Sequence, residues 1–398
     1  MRAPTSSAWN ATSQNGLSAI ALDSHLSWLR TKLYNLFTNY PGYNSFSNKG
    51  WTNATSNASS YDSIEAIHDQ IHTDVGQGGH MTYTPTSAFD PVFFLHHCFV
   101  DRLFTWWQEL YPNSWIVPAA ATSNTYTIAT GDILTAKTPL TPFYADTDGD
   151  FWDSDMSRDT NAFGYSYDET VGPTTKTARY QRQEQLRAKI NRIYGSSSPL
   201  GMASRHRRGR NGPREQTLPD KAIFRAGDTP DLSRQSRLSD MPIPPIVKDN
   251  HYTEWIANIR VMMHCLGSPF SIHLFLGGVP VDASSWTTAR NLVGSMGVFG
   301  PPQRMAEDKF VSSTVPLTTA LMKMMALGVI SSLDSVAEIQ SFLEQHLHVR
   351  VSTAMGNEVD LDQAAGLCVK IASAAVKAPT TETEFPKWEQ AVTRFRLV

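Results

Sequence analysis

The chain has 398 residues, a formal net charge of −3, 41% hydrophobic and 18% charged side chains. That length allows two or three domains and a sizeable core, and the near-neutral balance gives no footing for nucleic acid or an anionic membrane surface. The three cysteines, Cys98, Cys265 and Cys368, are far apart and odd in number, which argues against a disulfide framework or a cysteine zinc site.

The first 16 residues are rich in Ser, Thr, Ala and Asn and lack the apolar stretch of a secretory signal, so an intracellular, cytoplasmic soluble protein is the expectation. The sequons at Asn10 and Asn53 carry little weight in that setting. No apolar run reaches membrane-spanning length. Leu22, Leu26, Leu29, Leu33 and Phe37 recur at helical spacing and predict a helix over 22–40. A second helix is expected over 62–75, with Asp62 or Ser63 as N-cap and Gly76 as its stop, followed by a turn at 76–80. The largely apolar run from Pro91 to Tyr111 predicts a central helix. Residues 112–172, rich in Pro, Thr, Asp and Gly, read as long loops with short strands, and a polar helix is expected over 177–194. The stretch 196–245, with the basic run at 205–210, reads as an exposed linker and either a solvated loop or a protease-sensitive hinge. From 246 onward the pattern turns to strands, and the Gly-Asn pair at 356–357 suggests a hairpin.

Chemistry concentrates on the second and third helices. His68 and His72 stand at i and i+4, which places both imidazoles on one helical face where they can share an ion. The third helix adds His96 and His97 in an apolar turn. Buried imidazoles need partners for both nitrogens, and a shared cation supplies them. Adjacent residues point about 100° apart on a helix, so only one of the two joins the ion easily. Asp101, four residues after His97, is a candidate to orient an imidazole by accepting its second N–H.

The segments IHDQIH (67–72), GGHM (78–81) and FDPVFFLHHCFVDRL (89–103) resemble the second copper site of tyrosinases, catechol oxidases and hemocyanins. FGYSYDE (163–169), 251–277 and 313–321 are similar to the Tyr-x-Tyr motif and the β-rich C-terminal domain of fungal tyrosinases, in which that domain shields the active site. The resemblance implies an α+β multidomain chain: a tyrosinase-like helical bundle core over 1–195, the linker over 196–245, and a β-rich, sandwich-like domain over 246–398. It implies His68, His72 and His97 as metal ligands and His96 as a residue behind them. Glu65, one turn before His68, is either a general base or helix N-terminal charge. Asp69 either tunes the orientation of His68 or is solvated, and His80 either reaches the pocket or is held by backbone. Phe93, Met81 and Thr84 either line the pocket and its mouth or simply pack.

Two departures shape the expected function. Upstream of His68 the sequence has only His25, where the resemblance calls for three more histidines, and residues 300–310 lack the cysteine pair associated with copper delivery. Three imidazoles with an open fourth position suit Zn²⁺. In this the chain is similar in kind to fungal hemocyanin-like cyclopenases of quinolone alkaloid biosynthesis. That likeness implies one zinc per chain, a small alkaloid substrate, and conversion of cyclopenin to viridicatin with loss of the N-methyl carbamoyl unit. The rivals are a copper oxidase of phenols, a non-catalytic metal-binding carrier, and a zinc hydrolase in which HDQIH stands for HExxH.

Overall fold

The computed structural model describes residues 1–6, 10–51, 62–121, 124–208, 245–300 and 309–398. The Asn53 sequon, most of the expected linker (209–244) and nearly all of the 300–310 stretch lie outside the described residues, as do the side chains of the basic run.

The N-terminal half is helical. Helix α1 (Asn15–Asn39) is followed by the short α2 (Tyr43–Ser47), α3 (Ile64–Gly76) and α4 (Val92–Leu110). A minimal ribbon, β1 (Ala119–Ala120) with β2 (Ile133–Leu134), lies in the long loop region before α5 (Lys176–Ile193) and α6 (Pro199–Arg208). α1, α3, α4 and α5 share one core that includes Leu33, Phe37, Ile67, Trp107 and Ile190. Phe46 stacks on Trp107 at 4.6 Å, and the Trp107 indole N–H donates to the Tyr40 carbonyl at 2.8 Å.

Two boundaries differ from the sequence reading. α1 starts seven residues earlier than expected, at Asn15 rather than 22, because Leu17 and Ile20 in its first turns are solvent-exposed and give no apolar stripe to read. Leu26 is likewise exposed, and the buried face runs instead through His25, Trp28, Leu29 and Leu33. The linker begins later than 196: Ser197 and Ser198 are buried, and Pro199 opens α6, whose first turn is held by Gly201 N–H donating to Ser198 Oγ at 3.3 Å.

Strands β3 (His251–Met262), β4 (Phe270–Leu276), β5 (Leu292–Val298) and β6 (Phe310–Pro316) follow. Helices α7 (Thr318–Ala326) and α8 (Val336–His346) lead to β7 (Leu347–Thr353), β8 (Glu358–Val359), β9 (Cys368–Lys377), β10 (Lys387–Trp388) and β11 (Val392–Arg396). One antiparallel sheet has the order β10-β9-β3-β6, with β11 also on β9, and the other β5-β4-β7-β8. Their inner faces enclose a common core containing Trp255, Ile259, Phe270, Ile272, Val315 and Val351, which is the expected sandwich-like arrangement. The expected hairpin forms between β7 and β8, with Gly356 at φ 78° in its turn.

The sandwich docks on the helical half along β5. A Cβ on Gly297 would lie 2.4 Å from Thr73 Oγ1 and 3.0 Å from the Asp69 carbonyl, so only glycine lets β5 approach α3 this closely. Gly297 N–H donates to Gln70 Oε1 at 2.7 Å, and Lys32 Nζ reaches Ser313 Oγ at 2.7 Å across the same boundary. Among the described residues no helix is long and apolar enough to cross a membrane.

Candidate metal centre

α3 is capped by Ser63, whose Oγ accepts the Ala66 N–H at 3.1 Å, and it includes Gly76, the residue expected to stop it. The chain turns at Gln77, in the left-handed region at φ 44°. Gly76 instead serves a close approach, since a Cβ there would meet Thr82 Oγ1 at 2.2 Å. The apolar residues of α3 face the helical core while His68 and His72 face α4. The facing turn of α4 presents His96 and His97.

The rings converge. His97 Nε2 lies 3.3 Å from His68 Nε2 and 3.4 Å from His72 Nε2, and one nitrogen from each of His68, His72, His96 and His97 falls within 4.8 Å of the others. Two ligands about 2.0–2.1 Å from a tetrahedral ion stand about 3.3–3.4 Å apart, so the separations of His97 from His68 and from His72 match a zinc- or copper-sized cation.

The second nitrogens fix which atoms face inward. His72 Nδ1 lies 2.7 Å from the Met81 carbonyl, which only accepts, so Nδ1 carries the hydrogen and Nε2 presents its lone pair. His68 Nδ1 lies 3.0 Å from Asp69 Oδ1, with the same consequence. His97 Nε2 can donate to only one of two lone pairs, whereas a cation accepts all three nitrogens. This donor set fits a divalent metal ion.

The electrostatics agree. Burial, reinforced by His68, pulls His72 down to about 4. Burial and then His68 do the same for His97, also to about 4. Burial and the three neighbouring imidazoles pull His96 to about 2. These rings are neutral near pH 7, the form that binds metals. Burial pushes the Asp69 carboxyl up, but Lys49 and then His68 outweigh it and hold the group below its ordinary value.

The remaining expected residues divide. Asp69 is buried behind His68, in keeping with one of its two sequence readings. His96 stacks on His68 at 5.0 Å and its Nε2 is buried without a protein partner. Phe93 stacks on His97 at 4.0 Å and forms one wall of the centre. Met81 is fully buried and contributes its backbone carbonyl, so it does not line a mouth. Thr84 is exposed, and its carbonyl accepts from Ser87 Oγ in a local turn. Glu65 is engaged by Lys49, through the backbone N–H at 3.0 Å and the ammonium at 3.4 Å, which is not the environment of a free general base. Asp101 does not orient an imidazole: its Oδ2 accepts from the hydroxyls of Tyr165 at 2.9 Å and Tyr167 at 2.7 Å, pinning the Tyr-x-Tyr segment to α4. His80 Nδ1 meets the terminal amine of Met1 at 2.7 Å.

Two residues at the centre have no counterpart in the sequence reading. Phe299, directly after β5, stacks on His72 at 4.1 Å and meets His68 edge-on at 5.9 Å. Lys49 is buried beside Asp69. Neither carries a local signal, because one arrives from the distant sandwich and the other from a polar loop.

Comparison with known proteins matches this architecture. The family profile described as the common central domain of tyrosinase matches residues 4–110, and that of the tyrosinase C-terminal domain matches 254–371. The tyrosinase of Neurospora crassa is 29% identical, aligned over 89% of this chain and 61% of its own length. That of Podospora anserina is 32% identical over 78% of this chain and 58% of its own. A crystal structure holding latent and active mushroom tyrosinase shares the fold with a TM-score of 0.69 at 23% identity, covering 99% of this chain and 64% of that one. The chain therefore spans about three fifths of the length of these relatives. With both domain profiles matched in order on a helical core and a β-rich partner domain, the chain belongs to the tyrosinase family.

Proposed function

We propose that this chain is a single-metal enzyme that binds zinc through His68, His72 and His97 and acts as a cyclopenase. It would convert cyclopenin or cyclopenol to viridicatin or viridicatol, contracting the seven-membered ring and expelling the N-methyl carbamoyl unit as methyl isocyanate, or, with one water consumed, as methylamine and CO₂. The observation that carries the metal assignment is the approach of His97 Nε2 to the other two Nε2 atoms at 3.3–3.4 Å, both of them fixed as lone-pair donors by Asp69 and Met81. His25 is not part of the cluster. It is buried in a pair with Asp74 at 2.7 Å, against Trp28, and among the described residues the histidines at 68, 72, 96 and 97 form the one metal-competent group.

His68, His72 and His97 would hold the zinc, which would supply a Lewis acid for a substrate oxygen. The chain's own residues do the rest. Met81 and Asp69 hold the two α3 imidazoles in the tautomer that faces the ion. Phe93 and Phe299 stack on His97 and His72 and hold those rings in place with apolar walls.

A second reading is favoured by the names of the relatives: a copper oxidase acting on phenols. It requires a second set of ligands beyond the one cluster found among the described residues. The discriminating experiment assays zinc-loaded protein with cyclopenin under strict exclusion of oxygen, and copper-loaded protein with a diphenol in air. Oxygen-independent release of viridicatin supports the cyclopenase. Diphenol oxidation without cyclopenin turnover replaces it with the oxidase, and neither activity removes both.

A further inference from the structure

Lys49 sits in the loop between α2 and α3 and is 5% exposed. A buried ammonium is unfavourable unless each of its three hydrogens finds an acceptor. Here Nζ contacts Asp69 Oδ2 at 2.5 Å, the Phe299 carbonyl at 3.1 Å and Glu65 Oε1 at 3.4 Å. Its backbone is fixed as well, since its N–H donates to Glu65 Oε2 at 3.0 Å and its carbonyl accepts the Ser312 N–H at 2.9 Å. The ammonium is thus anchored from both halves of the molecule, and its shortest contact is to the carboxylate whose other oxygen holds His68 Nδ1 at 3.0 Å.

We propose that Lys49 is a positioning residue for the metal centre, a charged stay that aims the Asp69 carboxylate at His68 and through it fixes the inward-facing nitrogen of that ligand. Asp69 has rotational freedom about its side-chain bonds that a lone contact to His68 would not remove. A cation fixed by Phe299, Glu65 and its own backbone removes it. An ion pair serving only to join the two halves has no need of a carboxylate that also touches a ligand. The Lys32–Asp62–Ser313 contact joins the same halves, with Lys32 Nζ 3.3 Å from Asp62. Groups that hold metal-binding histidines from behind contribute about 10–100-fold in metal affinity.

The inference rests on the metal reading above, and the test separates the two. Zinc affinity is measured by competition with a chromophoric chelator for the wild type, Lys49→Met, Asp69→Asn and the double variant, whose neutral pair avoids an unpaired buried charge. The expected result is a loss of about 10–100-fold in each single variant and a double variant within about twofold of Asp69→Asn. ¹⁵N shifts of His68 are recorded on the metal-free proteins, with one Nδ1–H tautomer expected in the wild type and a mixture in Lys49→Met. Unchanged affinity in Lys49→Met overturns the proposal. If that variant does not fold, unchanged affinity in Asp69→Asn does so, as does a double variant weaker than Asp69→Asn by the full single-variant factor. If the wild type binds no zinc, the metal reading fails and the tautomer decides alone: a wild-type His68 of mixed tautomers sinks the role of Lys49.

Discussion

Replacing His72 with alanine removes three things at once. The ring is wholly buried, stacks on Phe299 at 4.1 Å and donates to the Met81 carbonyl at 2.7 Å. Loss of a buried ring leaves a cavity and an unpaired carbonyl, which together cost about 3–5 kcal/mol of metal-free stability. Deleting one of three ligands should weaken zinc binding well beyond the roughly 100-fold upper range seen for groups that only support a ligand. The assay is chelator competition for affinity, alongside urea denaturation of the metal-free protein. His97→Ala, at a half-buried ring, is the companion variant in which folding is less at risk. His80→Ala is the control, because His80 meets the terminal amine of Met1 and stands outside the cluster. Wild-type zinc affinity in both His72→Ala and His97→Ala would refute the ligand assignment, and so would an equal loss in His80→Ala.

Three further outcomes follow from the geometry. Gly297→Ala places a methyl 2.4 Å from Thr73 Oγ1 and should cost about 1–3 kcal/mol by forcing β5 off α3, with weaker zinc binding as Phe299 moves; an unchanged denaturation midpoint would show that the two halves do not pack as described. Asp101→Asn should loosen the segment around Tyr165 and Tyr167 at a cost of about 1–2 kcal/mol while leaving zinc affinity intact. A fall in affinity would return Asp101 to the ligand-orienting role. Glu254 is fully buried on β3, and burial, partly offset by Thr318, pushes its carboxyl from 4.5 up to about 8. The folded state therefore keeps a proton that the unfolded state releases, so the contribution to stability is complete below about pH 4.5 and is lost at about 1.4 kcal/mol per pH unit as pH rises toward 8. Glu254→Gln should flatten that slope between pH 5 and pH 8 in urea denaturation; an unaltered slope would contradict the assignment.

The ligand helices are legible in the sequence because their signals are local. An i, i+4 histidine pair and a double histidine in an apolar turn impose geometry on any helix that carries them, and α3 and α4 bring His68, His72 and His97 together as that spacing requires. What supports the ligands is not legible. Met81 acts through its carbonyl, to which side-chain identity is indifferent. Lys49, in an Asn-Lys-Gly loop, has the local look of a solvated lysine, and only the tertiary fold buries it. Phe299 reaches the centre from some two hundred residues away because Gly297 lets β5 lie against α3. Asp101 departs from its expected role because i+4 spacing to His97 fits an imidazole partner, whereas the long loop returns two tyrosine hydroxyls to it first.

The proposed function stands or falls with one ion held by three imidazoles. X-ray absorption at the metal edges of the protein as purified tests it directly. The expected spectrum has a zinc edge, about one zinc per chain, three imidazole nitrogens at about 2.0–2.1 Å and no metal–metal vector. A copper edge with a copper–copper vector, or a protein that retains no metal, would contradict it.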